Sequence, residues 1–165
     1  MVDKTLDNLV RRAERLRLIN KGVLMVQIPI AILTNTPSGL ENYLNSKFAA
    51  MTAISAGLIT AVTARIKLHR EKDKFPIDTG VYGIVRHPTY LGFRVISLGL
   101  IIYNPSIKNL ITGGALLLTS ELTARAEEKM MEHIHPVEYL QYKKNVSRWI
   151  PYLNKISGLF SSFRT

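Results

Sequence analysis

Four apolar stretches punctuate the chain, Val23 to Leu33, Phe48 to Ala64, Val95 to Tyr103 and Leu110 to Ser120, and each is bounded by polar or charged residues. The second approaches the roughly 18 uncharged residues that mark a membrane span. Its small residues Ala49, Ala50, Ala53, Ser55, Ala56 and Gly57 suit close helix packing. The other three are ambiguous by length alone, and the charges between them carry the argument further. Lys and Arg crowd "RRAERLRLINK", "RIKLHREKDK" and the chain after Ala124, whereas "TNTPSGLENYLNSK" and "NPSIK" carry only Lys47 and Lys108. Alternation of basic and non-basic connections is the pattern of helices threaded through a bilayer with their basic ends in the cytoplasm. The sequence therefore predicts an all-α, integral membrane helical bundle of about four transmembrane helices. It is multi-pass, with both termini cytoplasmic, and residues 1–165 form a single domain.

The segment "YNPSIKN" reads as a tight turn, because Asn-Pro initiates turns and both flanks are apolar. Two antiparallel helices should run from about Pro88 to Tyr103 and from about Ser106 to Met131, ahead of a C-terminal helix on the cytoplasmic side. Pro88 suits a first helical position, where its missing N–H costs nothing. Residues equidistant from the turn share a depth, since both helices rise about 1.5 Å per residue. That register sets Arg94 level with Glu121, Tyr90 with Arg125 and His87 with Glu128. Arg86, His87, Tyr90, Arg125, Glu127 and Glu128 then gather at one mouth of the hairpin.

Composition removes several alternatives. The formal net charge of +10 would suit phosphate binding, but the basic residues follow the spans rather than one continuous stripe, so nucleic acid is not an expected partner. The N-terminal stretch has a long basic region and an apolar run containing Gln27 and Pro29, unlike a cleavable signal. Residues 4 to 21 are expected as a basic amphipathic helix on the anionic leaflet, with Leu6, Leu9, Val10, Ala13 and Leu16 on one face, or as a solvated helix end. The absence of cysteine excludes disulfides, thiolate metal sites and a cysteine nucleophile. The four histidines show no metal-ligand spacing, and no dinucleotide, P-loop or nucleophile-elbow motif is present.

One stretch is more specific. "GVYGIVRHPTYLGF", Gly80 to Phe93, resembles the G-x-Y-x-x-x-R-H-P-x-Y-x-G signature of the isoprenylcysteine carboxyl methyltransferase and phospholipid methyltransferase family. Downstream, "NPSI" resembles the turn of that family's terminal hairpin. "RAEEKMMEHIHPVEYLQYKKNVSRWIP" resembles its closing element, and the three blocks span Lys74 to Pro151 in order. The chain departs from the pattern at His135 and Pro136, where the family commonly has Phe-Gly.

The resemblance implies a small helical membrane enzyme that uses S-adenosyl-L-methionine, held at the cytoplasmic side, with a lipophilic or prenylated acceptor arriving through the membrane lipids. By position, the cofactor loop falls on Lys74, Phe75, Pro76 and Ile77. The aromatic cofactor contact falls on Tyr82, a second cofactor segment on His87, Pro88, Thr89 and Tyr90, and the acidic contact on Glu127 or its neighbour Glu128. Arg125 and Glu128 fall at the catalytic positions, with Arg125 matching the residue that engages the acceptor's carboxylate. Carboxyl O-methylation of a prenylcysteine-like substrate is the expected reaction. N-methylation of a phospholipid amine, S- or N-methylation of another small lipophilic substrate, and a non-catalytic four-helix membrane protein that binds lipid or partner proteins are the alternatives.

Overall fold

The computed structural model describes residues 4–33, 40–71 and 74–152. Its helices are α1 (Lys4–Leu33), α2 (Leu40–Arg70), the single turn α3 (Val81–Ile84), α4 (Pro88–Tyr103), α5 (Ile107–Ile134) and α6 (Pro136–Asn145). The hairpin forms where the turn chemistry sets it. His87 caps α4 with Pro88 in its first turn, and the Ser106 hydroxyl caps α5 by accepting from the Asn109 amide at 3.3 Å. Helix α5 ends at Ile134, a few residues beyond the predicted Met131, because His135 precedes Pro136 and a residue before proline is pushed out of the helical region.

Helix α2 lies along α4 and α1 along α5, while α4 also touches α5 and α1. Small residues bring α2 and α4 together. A Cβ on Gly92 would stand 2.5 Å from the Gly57 carbonyl oxygen, and one on Gly57 would stand 2.6 Å from that of Gly92. Ala50, Ala61 and Ala64 continue the buried face of α2. Of the small residues expected to pack, Ala50 and Gly57 are buried, Ala53 is half-buried, and Ala49, Ser55 and Ala56 are exposed.

Residues 4 to 21 are helical as expected, and they form the first part of α1, which runs unbroken through Pro29. Ala13, Asn20, Gln27 and Ala31 make its buried stripe, a helical spacing that turns one face toward the bundle from end to end. Of the face expected to meet lipid, Ala13 is buried, and Leu6, Leu9, Val10 and Leu16 are half-buried.

The interior carries a set of polar side chains beside its small apolar residues, and large apolar residues lie on the exterior. Asn20, Gln27, Asn104, Asn109, Ser120 and Thr123 are buried, while Met25, Phe48 and Ile111 are 72%, 77% and 67% exposed. The buried groups bond one another or the backbone. Thr119 donates to Asn20 Oδ1 at 3.1 Å, Asn104 to the Ala31 carbonyl at 3.1 Å, and Asn109 to the Asn104 carbonyl at 2.8 Å. Water would not tolerate so much exposed aliphatic surface, but lipid does, and it forces polar groups inward. The chain is an all-helical membrane protein. Among the described residues, Ser46–Arg70 is the segment long and apolar enough to cross a bilayer, and α4 is apolar but spans 16 residues. Helix length alone thus supports one of the four predicted spans.

Candidate active site

A cavity of about 880 Å³ lies between α1 and α2, which do not pack along each other, and reaches down to the start of α4. It brings together all ten residues expected to hold a cofactor: Lys74, Phe75, Pro76 and Ile77 from the α2–α3 loop, Tyr82 from α3, His87, Pro88, Thr89 and Tyr90 at the head of α4, and Glu127 from α5. Arg17 and Leu18 of α1, Leu58, Val62 and Arg65 of α2, and Phe93 of α4 complete a lining of apolar and cationic residues.

Local chemistry shapes this lining. Gly80 precedes α3 at φ 59°, a left-handed conformation that costs glycine nothing, and it lets the loop reverse beside Lys67. Tyr142 donates to the Tyr82 carbonyl at 2.7 Å and so ties α6 to α3. The Arg86 amide donates to the Ser147 carbonyl at 2.9 Å, within a short parallel bridge between Val85 and Ser147. The His135–Pro136 departure is accommodated. Pro136 occupies the first turn of α6, and the His135 ring stacks on Phe75 with centroids 4.0 Å apart, buttressing the loop expected to hold the cofactor.

Beneath the cavity lies a cluster built on two adjacent carboxylates. Glu127 accepts from Tyr90 Oη at 2.5 Å and from Arg17 Nε at 2.6 Å, and its other oxygen is 3.5 Å from His87 Nδ1. Glu128 faces the other way. Arg86 Nη2 stands at 3.0 Å, His87 Nε2 at 3.2 Å and Arg148 Nη2 at 2.7 Å from its oxygens. Arg86 has four of its five N–H donors committed, two to Glu128 and two to the carbonyls of Lys143, at 3.1 Å, and of Val146. Burial would lift both carboxyls, but hydrogen bonds from His87, with the charges of Arg17 on Glu127 and of Arg148 and Arg86 on Glu128, hold both below the ordinary carboxylate range. Burial opposes a charged His87 as well. The two glutamates outweigh it and raise the imidazole above its usual value.

The predicted catalytic pair lies elsewhere. Arg125 is 63% exposed and donates to Glu121 one turn back at 2.8 Å, outside the cavity lining. Glu128, 3% exposed, also does not line the cavity but braces Arg86 and His87 from below. The depth pairing of the hairpin is otherwise reproduced. Arg94 stands 3.5 Å from Glu121 and His87 meets Glu128, whereas Tyr90 bonds Glu127 rather than approaching Arg125. Two members were missed from sequence, Arg17 and Arg148. One arginine among the several of "RRAERLRLINK" and one beyond α6 carry no local pattern that singles them out, although "SRWIP" did mark Arg148 as part of a family block.

Comparisons with known proteins point to one family. A model of the phospholipid methyltransferase family matches residues 46–137, more than half of the chain. The chain is 34% identical over 90 residues to the protein-S-isoprenylcysteine O-methyltransferase of Saccharomyces cerevisiae, covering 53% of this chain and 37% of that protein. It is 30% identical over 106 residues to protein-S-isoprenylcysteine O-methyltransferase A of Arabidopsis thaliana, covering 60% and 52%, and 29% identical over 121 residues to form B of the same plant, covering 70% and 59%. The chain therefore spans between about a third and three fifths of the length of these relatives. No solved structure matches. With its signature residues gathered on one cavity and the family model aligned across its middle, the chain belongs to the phospholipid methyltransferase family.

Proposed function

We propose that residues 1–165 act as one multi-pass membrane unit that uses S-adenosyl-L-methionine to methylate the carboxylate of a prenylcysteine-like acceptor, with the site at the cytoplasmic side. The observation that carries this reading is the coincidence, on one cavity, of every expected cofactor residue with an apolar wall of Leu18, Leu58, Val62 and Phe93. The residues suit the cofactor. Its volume falls within the roughly 300–1,000 Å³ of small-ligand sites. Glu127 would hold the ammonium or ribose hydroxyls, and Tyr82 and Phe75 offer aromatic faces. When bound, S-adenosyl-L-methionine supplies an electrophilic methyl group on a sulfonium, which an acceptor oxygen takes while the carbon–sulfur electron pair stays with sulfur.

The chain's own task is then to align, dehydrate and counterbalance charge. The carboxylate acceptor is favoured over an amine by the state of the ionisable groups. An amine acceptor needs a base, but Glu127 and Glu128, held below the ordinary carboxylate range by His87, Arg17, Arg86 and Arg148, are weak ones, and both ring nitrogens of His87 face the two glutamates. A carboxylate is already ionised at neutral pH and needs none. Arg125, which does not line the cavity, has no part in this scheme, and Glu128 serves as support. Calorimetric titration of the detergent-purified protein with S-adenosylhomocysteine, followed by methyl transfer from labelled cofactor to N-acetyl-S-farnesylcysteine, tests the reading. Saturable binding and a base-labile methyl ester are expected. A folded protein that binds no S-adenosylhomocysteine would refute it.

A further inference from the structure

We infer that Arg17, on the N-terminal helix outside the family-matched segment, is the residue that receives the acceptor's carboxylate. The inference rests on the carboxyl-methylation reading above and deepens it. A carboxylate drawn into an apolar cavity needs a cation with donors to spare. Arg125 is outside the cavity, Arg86 has four of its five donors committed to Glu128 and two carbonyls, and His87 is bracketed by two glutamates.

Arg17 differs from all three. It lines the cavity with its side chain 45% exposed, and Glu127 engages its Nε at 2.6 Å. A guanidinium has five N–H donors in a planar fork, more than one carboxylate accepts, so Arg17 can hold Glu127 and a second anion at once. Lys21 and Arg65 also line the cavity, but among the described residues Arg17 is the cation of α1 and α2 that is bonded to the carboxylate cluster. Its chain neighbour Leu18 starts the apolar wall, so a ligand with its carboxylate at Arg17 lays its hydrocarbon along Leu18 and Val62. Glu127, the expected cofactor contact, thus couples the two binding sites through a single ion pair.

The test compares binding of N-acetyl-S-farnesylcysteine and its carboxamide to the full chain in saturating S-adenosylhomocysteine. The wild type is expected to prefer the acid at least tenfold. Arg17→Gln should bring the two ligands within twofold of each other, the loss falling on the acid. Arg17→Lys, which keeps the charge but loses the fork, should fall between and serves if the glutamine variant does not fold. An acid preference unchanged in both variants overturns the inference, as does a preference erased by Arg125→Gln instead. Failure of the wild type to bind either ligand or to methylate the acid overturns the acceptor reading itself. Wild-type methylation with an unaltered preference in the Arg17 variants overturns only the role of Arg17.

Discussion

Replacing Glu128 by glutamine keeps its shape and removes its charge, and the structure sets the consequence. The side chain is 3% exposed and takes ion pairs from Arg86, at 3.0 Å and itself 7% exposed, from Arg148 at 2.7 Å and from His87 at 3.2 Å. Breaking a buried pair by removing one partner costs about 3–5 kcal/mol, against about 0.2–1 kcal/mol for an exposed pair. Arg148 retains Glu121 at 2.7 Å, and Arg86 retains two carbonyls, so the lower end, about 3 kcal/mol, is expected. For a chain of this size each kcal/mol moves Tm by about 2–4 °C, giving a fall of about 6–12 °C. Trp149, the sole tryptophan, neighbours Arg148 and bonds Glu121 at 2.8 Å, so its fluorescence in detergent reports the transition. Asp7→Asn, which removes an exposed pair with Arg11, is the control and should move Tm by no more than about 4 °C. Equal melting of the two variants would refute the view of Glu128 as the buried keystone of the cluster.

Four further outcomes follow from the same geometry. Glu127→Gln should weaken S-adenosylhomocysteine binding by about 10- to 100-fold, the loss of a charge-assisted hydrogen bond, as read by calorimetry. The proton on His87 is held more tightly in the folded protein than at the ordinary value of 6.5. Its contribution to stability is complete below pH 6.5 and is lost as pH rises through the raised native value. The depressed Glu128 contributes above about pH 4.5 and loses its contribution as pH falls, so Tm measured against pH should be highest between those limits, and His87→Gln should flatten the alkaline side. Gly92→Leu would drive a side chain into the Gly57 carbonyl, where even a Cβ would stand at 2.5 Å, and should cost at least the 1–3 kcal/mol typical of overpacking, seen as lowered Tm. Gln27 makes two long bonds of 3.4 Å and leaves its Oε1 buried without a partner, so Gln27→Met should leave Tm unchanged or raise it.

The sequence by itself determined what is local along the chain. Apolar runs, Asn104–Pro105 and the Pro88 start define the hairpin, and equal rise along two antiparallel helices sets Arg94 against Glu121 and His87 against Glu128. The ten cofactor-loop and signature residues share one cavity because they fall in short blocks, most of them close together around the chain's entry into α4. What the tertiary structure decided is the direction each side chain faces and which distant helix meets it. Arg125 and Glu127 differ little in depth, but two residues on a helix stand about 200° apart, so one meets the cavity and the other its outer face. Arg17 reaches Glu127 across 110 residues only because the stripe Ala13, Asn20, Gln27 and Ala31 seats α1 on the bundle, and such packing is a sum of many weak contacts with no motif of its own.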